Sequence, residues 1–348
     1  MNFERGIGDK LVAALERSPL WKEIASDPDL FFALRGKTLT VYYQGSVICR
    51  VSLEQGRLQF KTHYKYLLKP GIKDLYIPWN EQSRSIADQV EMIFIDTVDL
   101  GALKATASAS STMESKGVHS VLKSNRNVID VEIPLTREAS AKQSRDGQKG
   151  KKSQFSDQID FAVLQRASGA ARVKFFQAKR FDNADLQSPT GAFGGRVSAQ
   201  PDKYRKIIGE TPRDAEAAYR RFFALKRADV PEIRPAPGGA PPIVVHIEKC
   251  RKLIGENQKE MQAAYRRLCE NLVRLTPDRC DPLVAEVAAG TADLTIDSEV
   301  RLVTFGFDSD PRDARLWLGQ AEGLRALLGD HRFLTRGDPV GFTRGISS

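Results

Sequence analysis

Over residues 8 to 24 the apolar Leu11, Val12, Leu15 and Leu20 recur at near-helical spacing, and Ser18-Pro19 interrupts the run, which predicts packing helix broken at that point. From Ala33 to Leu68 the period shortens. Lys37 to Tyr43 meets Ser46 to Val51 across Gln44-Gly45, the pattern of a β-hairpin, and a further strand at 57–61 follows Gln55-Gly56. Together these predict a small antiparallel sheet. The turns at Pro70-Gly71 and Pro78-Trp79-Asn80 lead to a predicted helix at 82–95, and Met113, Val118, Val121 and Leu122 form a helical stripe within 106–124.

The middle of the chain reads as strands. The run at 128–133 alternates Asp130 and Glu132 with Ile129, Val131 and Ile133, so both acids are expected on one face. Gln158 to Leu164 reads as a buried strand interrupted by Asp160, a charge that needs a partner there. On the next strand Val173, Phe175, Gln177 and Lys179 share a face, so the last two project together. Further on, the pattern predicts a glycine-rich turn at 188–195, helices at 196–208 and 212–227 and a proline-rich linker at 231–242. A buried strand at 243–247, a helix at 256–274, a strand at 300–307 and a helix at 311–328 opened by Asp310-Pro311 follow. His246 on the first of these strands reads as a satisfied core histidine. The expected fold class is α/β: a mixed sheet of the strands near 128–133, 159–164, 172–178, 243–247 and 300–307, flanked by helices near 107–124 and 196–208. It is preceded by an N-terminal α+β antiparallel domain, and the division falls at 1–104 and 105–348.

At 348 residues the chain is long enough for two domains, and 41% apolar against 28% charged residues is the composition of a folded globular protein rather than a disordered one. The net charge of +9 favours a polyanionic partner without establishing one. Cys49, Cys250, Cys269 and Cys280 show no Cys-x-x-Cys spacing, which argues against zinc and against a disulfide framework. The opening residues resemble no signal peptide and no apolar stretch reaches about 20 residues, so a cytoplasmic protein without a membrane span is expected. Two basic features admit bland and functional readings alike. Tyr42, Tyr43, His63, Tyr64, Lys65 and Tyr66 fill strand positions or stack on bases, and the loop at 136–155, with Lys149, Lys151 and Lys152, is solvated surface or grips phosphates.

An aspartate on one strand followed by Gln177-Ala178-Lys179 at the end of the next resembles the PD-(D/E)XK nuclease superfamily. The Gln-x-Lys variant is similar to that of Mrr-type restriction endonucleases. The likeness extends to a helix glutamate, Glu114, to the Ile129-Asp130-Val131-Glu132 strand, and to Gly194-Gly195-Arg196 with Gln200, Tyr204 and Ile208 downstream; it covers roughly 105 to 250. It implies a restriction-endonuclease-like sheet and a Mg²⁺-dependent nuclease, with Mn²⁺ as a substitute ion, acting on nucleic acid, DNA foremost, in restriction or antiphage defence. The catalytic set it implies is Asp160, Gln177, Lys179, Glu114 and Glu132, with Asp160, Gln177 and Glu114 on the metal. Lys149, Lys151, Lys152, Arg180 and Arg196 are the candidate nucleic-acid contacts. Gln177 leaves the site one negative charge short, which Asp130 or Glu132 could restore. Three alternatives stay open: Ser111-x-x-Glu114 as a mere capping box, a catalytically inactive nucleic-acid-binding module, and a structural Asp160–Lys179 ion pair. A homodimer or a defence-system partner is left open as well.

Overall fold

The computed structural model describes residues 3–63, 76–79, 100–135, 158–187, 240–306 and 311–335, of which 63, 76–79 and 311–319 are described by backbone path alone. These residues form a mixed α/β architecture with two mixed sheets. Helices α1 (Asp9–Glu16) and α2 (Pro19–Ser26) are split where the sequence predicts: the Ser18 hydroxyl accepts the Trp21 N–H at 3.0 Å and Pro19 occupies the first turn. The first sheet has the order β1 (Gly6–Ile7), β2 (Phe31–Gly36), β3 (Thr38–Tyr43), β4 (Ser46–Glu54), β5 (Arg57–His63), β6 (Tyr76–Trp79). Its strands pair antiparallel, except that β1 runs parallel to β2. Gln44 and Gly45, both at positive φ (49° and 72°), close the β3–β4 hairpin in the twist that two-residue turns favour.

The second sheet carries the candidate chemistry. Helices α3 (Leu100–Ser110) and α4 (Met113–Lys123) precede β7 (Val128–Pro134), β8 (Gln158–Ala167) and β9 (Ala170–Arg180). Then come α5 (Pro242–Glu256), α6 (Gln258–Leu275), α7 (Pro282–Ala288), β10 (Leu294–Phe305), α8 (Pro311–Leu328) and β11 (Phe333–Thr335). The order across the sheet is β11-β10-β9-β8-β7, antiparallel from β7 to β9 and parallel from β9 to β11. On one face Val121 and Leu122 of α4 pack on Val131, Phe161, Val163, Phe176, Ala178, Val303 and Phe305. On the other, Tyr265 of α6 meets Phe175 edge-on, ring centroids 5.8 Å apart.

Four sequence expectations are corrected. Residues 243–247 are the start of helix α5 and contribute no strand, because Ile243, Ile247, Cys250 and Ile254 are buried at helical spacing while Val245 is 42% exposed. The helix expected at 106–124 is two helices parted at Ser111-Thr112, and the one expected at 256–274 begins at Gln258. The expected strand at 300–307 starts earlier, at Leu294. His246 lies on α5, and its Nε2 is 3.0 Å from the Gln158 carbonyl oxygen.

The chain divides into two compact units, Met1–Phe181 with His246–Ser348, and Asp182–Val245. The division drawn from the sequence at residue 104 runs between the two sheets, and both sheets lie in the first unit. Among the described residues of the second unit, the 3₁₀ turn Ala184–Leu186 is capped by Asn183, whose side chain accepts the Asp185 N–H at 2.9 Å. The expected helices at 82–95, 196–208 and 212–227, the loop at 136–155, the glycine-rich turn, most of the proline-rich linker and the extreme tail lie outside the described residues. Among the described residues, no helix is long and apolar enough to cross a membrane.

Candidate active site

Strands β8 and β9 part like the arms of a fork. Their register runs from Ala167↔Ala170 to Phe161↔Phe176, whose rings stack with centroids 5.2 Å apart. Beyond that pair each strand is kept by its outer neighbour: β8 pairs with β7 as far as Gln158↔Pro134, and β9 with β10 as far as Arg180↔Phe305. Asp160 fills the angle between them. Its Oδ2 accepts the backbone N–H of Ala178 at 2.6 Å and the side-chain N–H of Gln177 at 2.7 Å, which replaces the ladder bonding lost where the strands separate.

Gln177 is buried, and with its nitrogen committed to Asp160 its Oε1 has no hydrogen-bond partner among the described residues. A buried acceptor left without a donor is costly, so a donor or a cation placed against it would be favourable. Lys179, two residues on, sends Nζ to within 3.5 Å of Glu114 Oε1 in the first turn of α4. The N-cap of that helix is Thr112, whose hydroxyl accepts the Ser115 N–H at 3.1 Å, so the capping box read from Ser111 and Glu114 is not the one that forms. Ser111 instead donates to the Ala107 carbonyl at 2.8 Å.

The two acids of β7 keep one parity in the β7–β8 ladder but take different partners. Asp130 is buried between Arg5 Nε (2.9 Å) and Arg35 Nη2 (3.0 Å), and its Oδ2 accepts the Tyr265 hydroxyl at 3.3 Å. It is a fully partnered structural acid. The register shift falls before the pair, between Val128 and Asp130, and from Asp130↔Ala162 to Ile133↔Ile159 the ladder is regular, while Glu132 itself adopts a positive φ of 51°. Glu132 stands at the ladder position opposite Asp160, between the pairs Val131↔Phe161 and Ile133↔Ile159, and its Oε2 accepts the side-chain N–H of Gln158.

Loss of hydration is the main cause that pushes the Asp160 carboxyl up to about 7. The Ala178 N–H opposes it, the charges of Glu132 and Glu114 add to it, and Lys179 counteracts them. Burial likewise raises Glu132, against the pull of Arg35, Gln158 and Lys179. The fork thus holds three acids and one lysine in mutual electrostatic reach. No three His, Cys, Asp or Glu side chains among the described residues are gathered into a ready-made metal cage, so Gln177 Oε1 is needed as a donor if an ion is held here.

Of the expected nucleic-acid contacts, Arg180 ends β9 half-buried, its guanidinium 5.7 Å from the Phe181 ring centroid. Lys149, Lys151, Lys152 and Arg196 lie outside the described residues. Sequence reasoning missed Arg35 and Gln158. No local signal marks Arg35, which bonds Val131 at a separation of 96 residues; Gln158, two before Asp160 on the same strand face, was within reach of the parity argument. Comparison of the chain with protein-family models, with curated proteins and with solved structures finds no match, so the functional reading rests on this geometry and on the motif resemblance.

Proposed function

We propose that the chain is a divalent-metal-dependent nuclease of the PD-(D/E)XK kind, hydrolysing phosphodiester bonds in nucleic acid, DNA foremost, in restriction or antiphage defence. The observation that carries this reading is the fork itself, where Asp160, the buried and unpaired Gln177 Oε1 and Lys179 meet in the motif's strand context. Both hydrogen bonds to Asp160 fall on Oδ2, which leaves Oδ1 for a ligand. Hard oxygen donors suit Mg²⁺, which keeps several of its waters, and Mn²⁺ accepts the same set. Asp160 and Gln177 would hold the ion, with Glu132 or Glu114 as the next oxygen. When bound, such an ion polarises a phosphoryl oxygen and acidifies a water. Lys179 contributes a fixed positive charge that offsets the charge gathering on the phosphoryl oxygens, and Glu114 keeps its ammonium at the fork mouth.

A second reading, a catalytically inactive nucleic-acid-binding module, is favoured by one feature. Asp160 Oδ2 already has two donors and Lys179 already has an acid neighbour, as a purely structural network would. Supercoiled plasmid, single-stranded DNA and RNA incubated with the protein in Mg²⁺, Mn²⁺ or EDTA separate the two. The nuclease reading expects metal-dependent cleavage, lost in Asp160→Ala and reduced by about 100-fold or more in Lys179→Ala, with folding and nucleic-acid binding retained. Undiminished cleavage by Asp160→Ala ends the assignment at this site. Binding without cleavage in the wild type, whatever the metal, selects the inactive module.

A further inference from the structure

A glutamate in left-handed backbone inside a strand is an outlier. Glu132 (φ 51°) lies between two residues that keep their pairing with β8, and only glycine, asparagine or aspartate visits this conformation readily. Such strain persists where the surroundings over-determine it, and it concentrates at sites that do something. Two side chains hold this one. Arg35, from β2 of the N-terminal sheet, aims a single guanidinium nitrogen at three acceptors around the strained residue: the carbonyl oxygens of Val131 (2.6 Å) and Glu132 (3.0 Å) and Asp130 Oδ1 (3.0 Å). Gln158, at the start of β8, donates its side-chain N–H to Glu132 Oε2.

The held carboxylate is placed where a charge is missing. Position 132 is opposite Asp160 in the β7–β8 ladder, and Gln177, the other oxygen donor of the fork, is neutral. An amide oxygen binds a hard cation more weakly than a carboxylate does, so a site built on Asp160 and Gln177 alone would carry one negative charge. We infer that Arg35 and Gln158 are positioning residues that together hold the Glu132 carboxylate at the fork mouth, where it supplies the second charge for a divalent cation. This rests on the metal-dependent reading of the fork, and it makes the N-terminal sheet a working part of the site. Arginine is required rather than lysine, since the contacting atom is a terminal guanidinium nitrogen, which lies one bond farther from the backbone than a lysine ammonium.

The test uses the full-length chain and Mn²⁺ itself, titrated by the loss of the free-ion EPR signal, in wild type, Asp160→Ala, Glu132→Gln, Arg35→Lys, Gln158→Leu and the double variant Arg35→Lys/Glu132→Gln. Asp160→Ala should bind no Mn²⁺. The Glu132, Arg35 and Gln158 single variants should each weaken binding by about ten-fold, the usual cost of losing an outer partner of a metal site, and the double variant should be no weaker than Glu132→Gln. That non-additivity is what a merely structural arginine would not produce. Wild-type affinity in Glu132→Gln, or in both Arg35→Lys and Gln158→Leu, overturns the inference while leaving the fork reading intact if Asp160→Ala still abolishes binding. Additive losses in the double variant overturn it as well. A wild type that takes up no Mn²⁺ overturns both. Should Arg35→Lys fail to fold, as circular dichroism would reveal, Gln158→Leu with its own Glu132→Gln double variant carries the same comparison.

Discussion

Gln177 is the residue on which the chemistry turns. Its nitrogen is spent on Asp160 and its oxygen is buried without a donor, so replacing it by glutamate exchanges a hydrogen-bond donor for a charge beside another carboxyl. Gln177→Glu is therefore expected to destabilise the metal-free protein by about 1–3 kcal/mol, the range for disrupting a buried hydrogen bond and leaving its partners unsatisfied. Millimolar Mg²⁺ should recover that loss if the position is a ligand, because an ion that binds only the folded state stabilises it by mass action. Thermal unfolding with Mg²⁺ and with EDTA measures both effects; a Tm insensitive to Mg²⁺ would make Gln177 a structural residue. What could be read of this site from the sequence follows strand parity. Asp160, Gln177 and Lys179 meet as the alternation of β8 and β9 requires, whereas the different partners of Asp130 and Glu132, Arg5 and Tyr265 for one and Gln158 for the other, come from other segments of the chain and from one positive φ that alternation does not encode.

At the scale of elements, α4 shows how little room the sheet leaves. Gly117 faces the Phe305 ring so closely that an added Cβ would collide with it, and this lets the helix carry Glu114 to Lys179. Gly117→Ala should cost about 1–3 kcal/mol through overpacking, despite alanine's better helix propensity, with denaturant titration as the measurement. A gain in stability would mean that α4 sits farther from β10. The elements most legible in the sequence were those with their own punctuation: the Gln44-Gly45 hairpin, the Ser18-Pro19 break, the Asp160 and Lys179 strands. Helix α5 was not legible, because Ile243-Val244-Val245-His246-Ile247 is a β-branched run whose helical period emerges only once Cys250 and Ile254 are counted with it. The split between α3 and α4 went unseen because alanine and serine at 106–111 carry almost no periodic signal.

At the scale of the whole molecule the two sheets are tied by buried polar contacts that the sequence gives no means of pairing: Arg5 and Arg35 on Asp130, and His119 of α4 on the first sheet's hairpin. His119 packs edge-on against Phe31 and Tyr43, and its Nδ1 accepts the Gln44 N–H at 3.2 Å, so it must be neutral. Burial lowers it to about 4 from an ordinary 6.5. The folded value lies below the unfolded one, so its contribution is complete above pH 6.5 and is lost as pH falls toward 4. Between pH 7 and pH 5 the wild type should lose about 2 kcal/mol more stability than His119→Gln, read from urea unfolding at each pH. Equal losses would show that the imidazole titrates freely in the fold.

The parallel pairing of β9 with β10 has a consequence in time as well as in space. Thr295 of β10 donates to the Ala171 carbonyl oxygen of β9 across a separation of 124 residues. During synthesis, at roughly 5–20 residues per second, the strand that bears Gln177 and Lys179 is finished many seconds before its second neighbour leaves the ribosome. Through that interval β8 can pair on one side while the other side of β9 stays an open edge, the kind of surface that recruits foreign strands. The hairpin can fold early, but the fork cannot close around its chemistry until β10 arrives, so a half-made chain carries the motif without a working site.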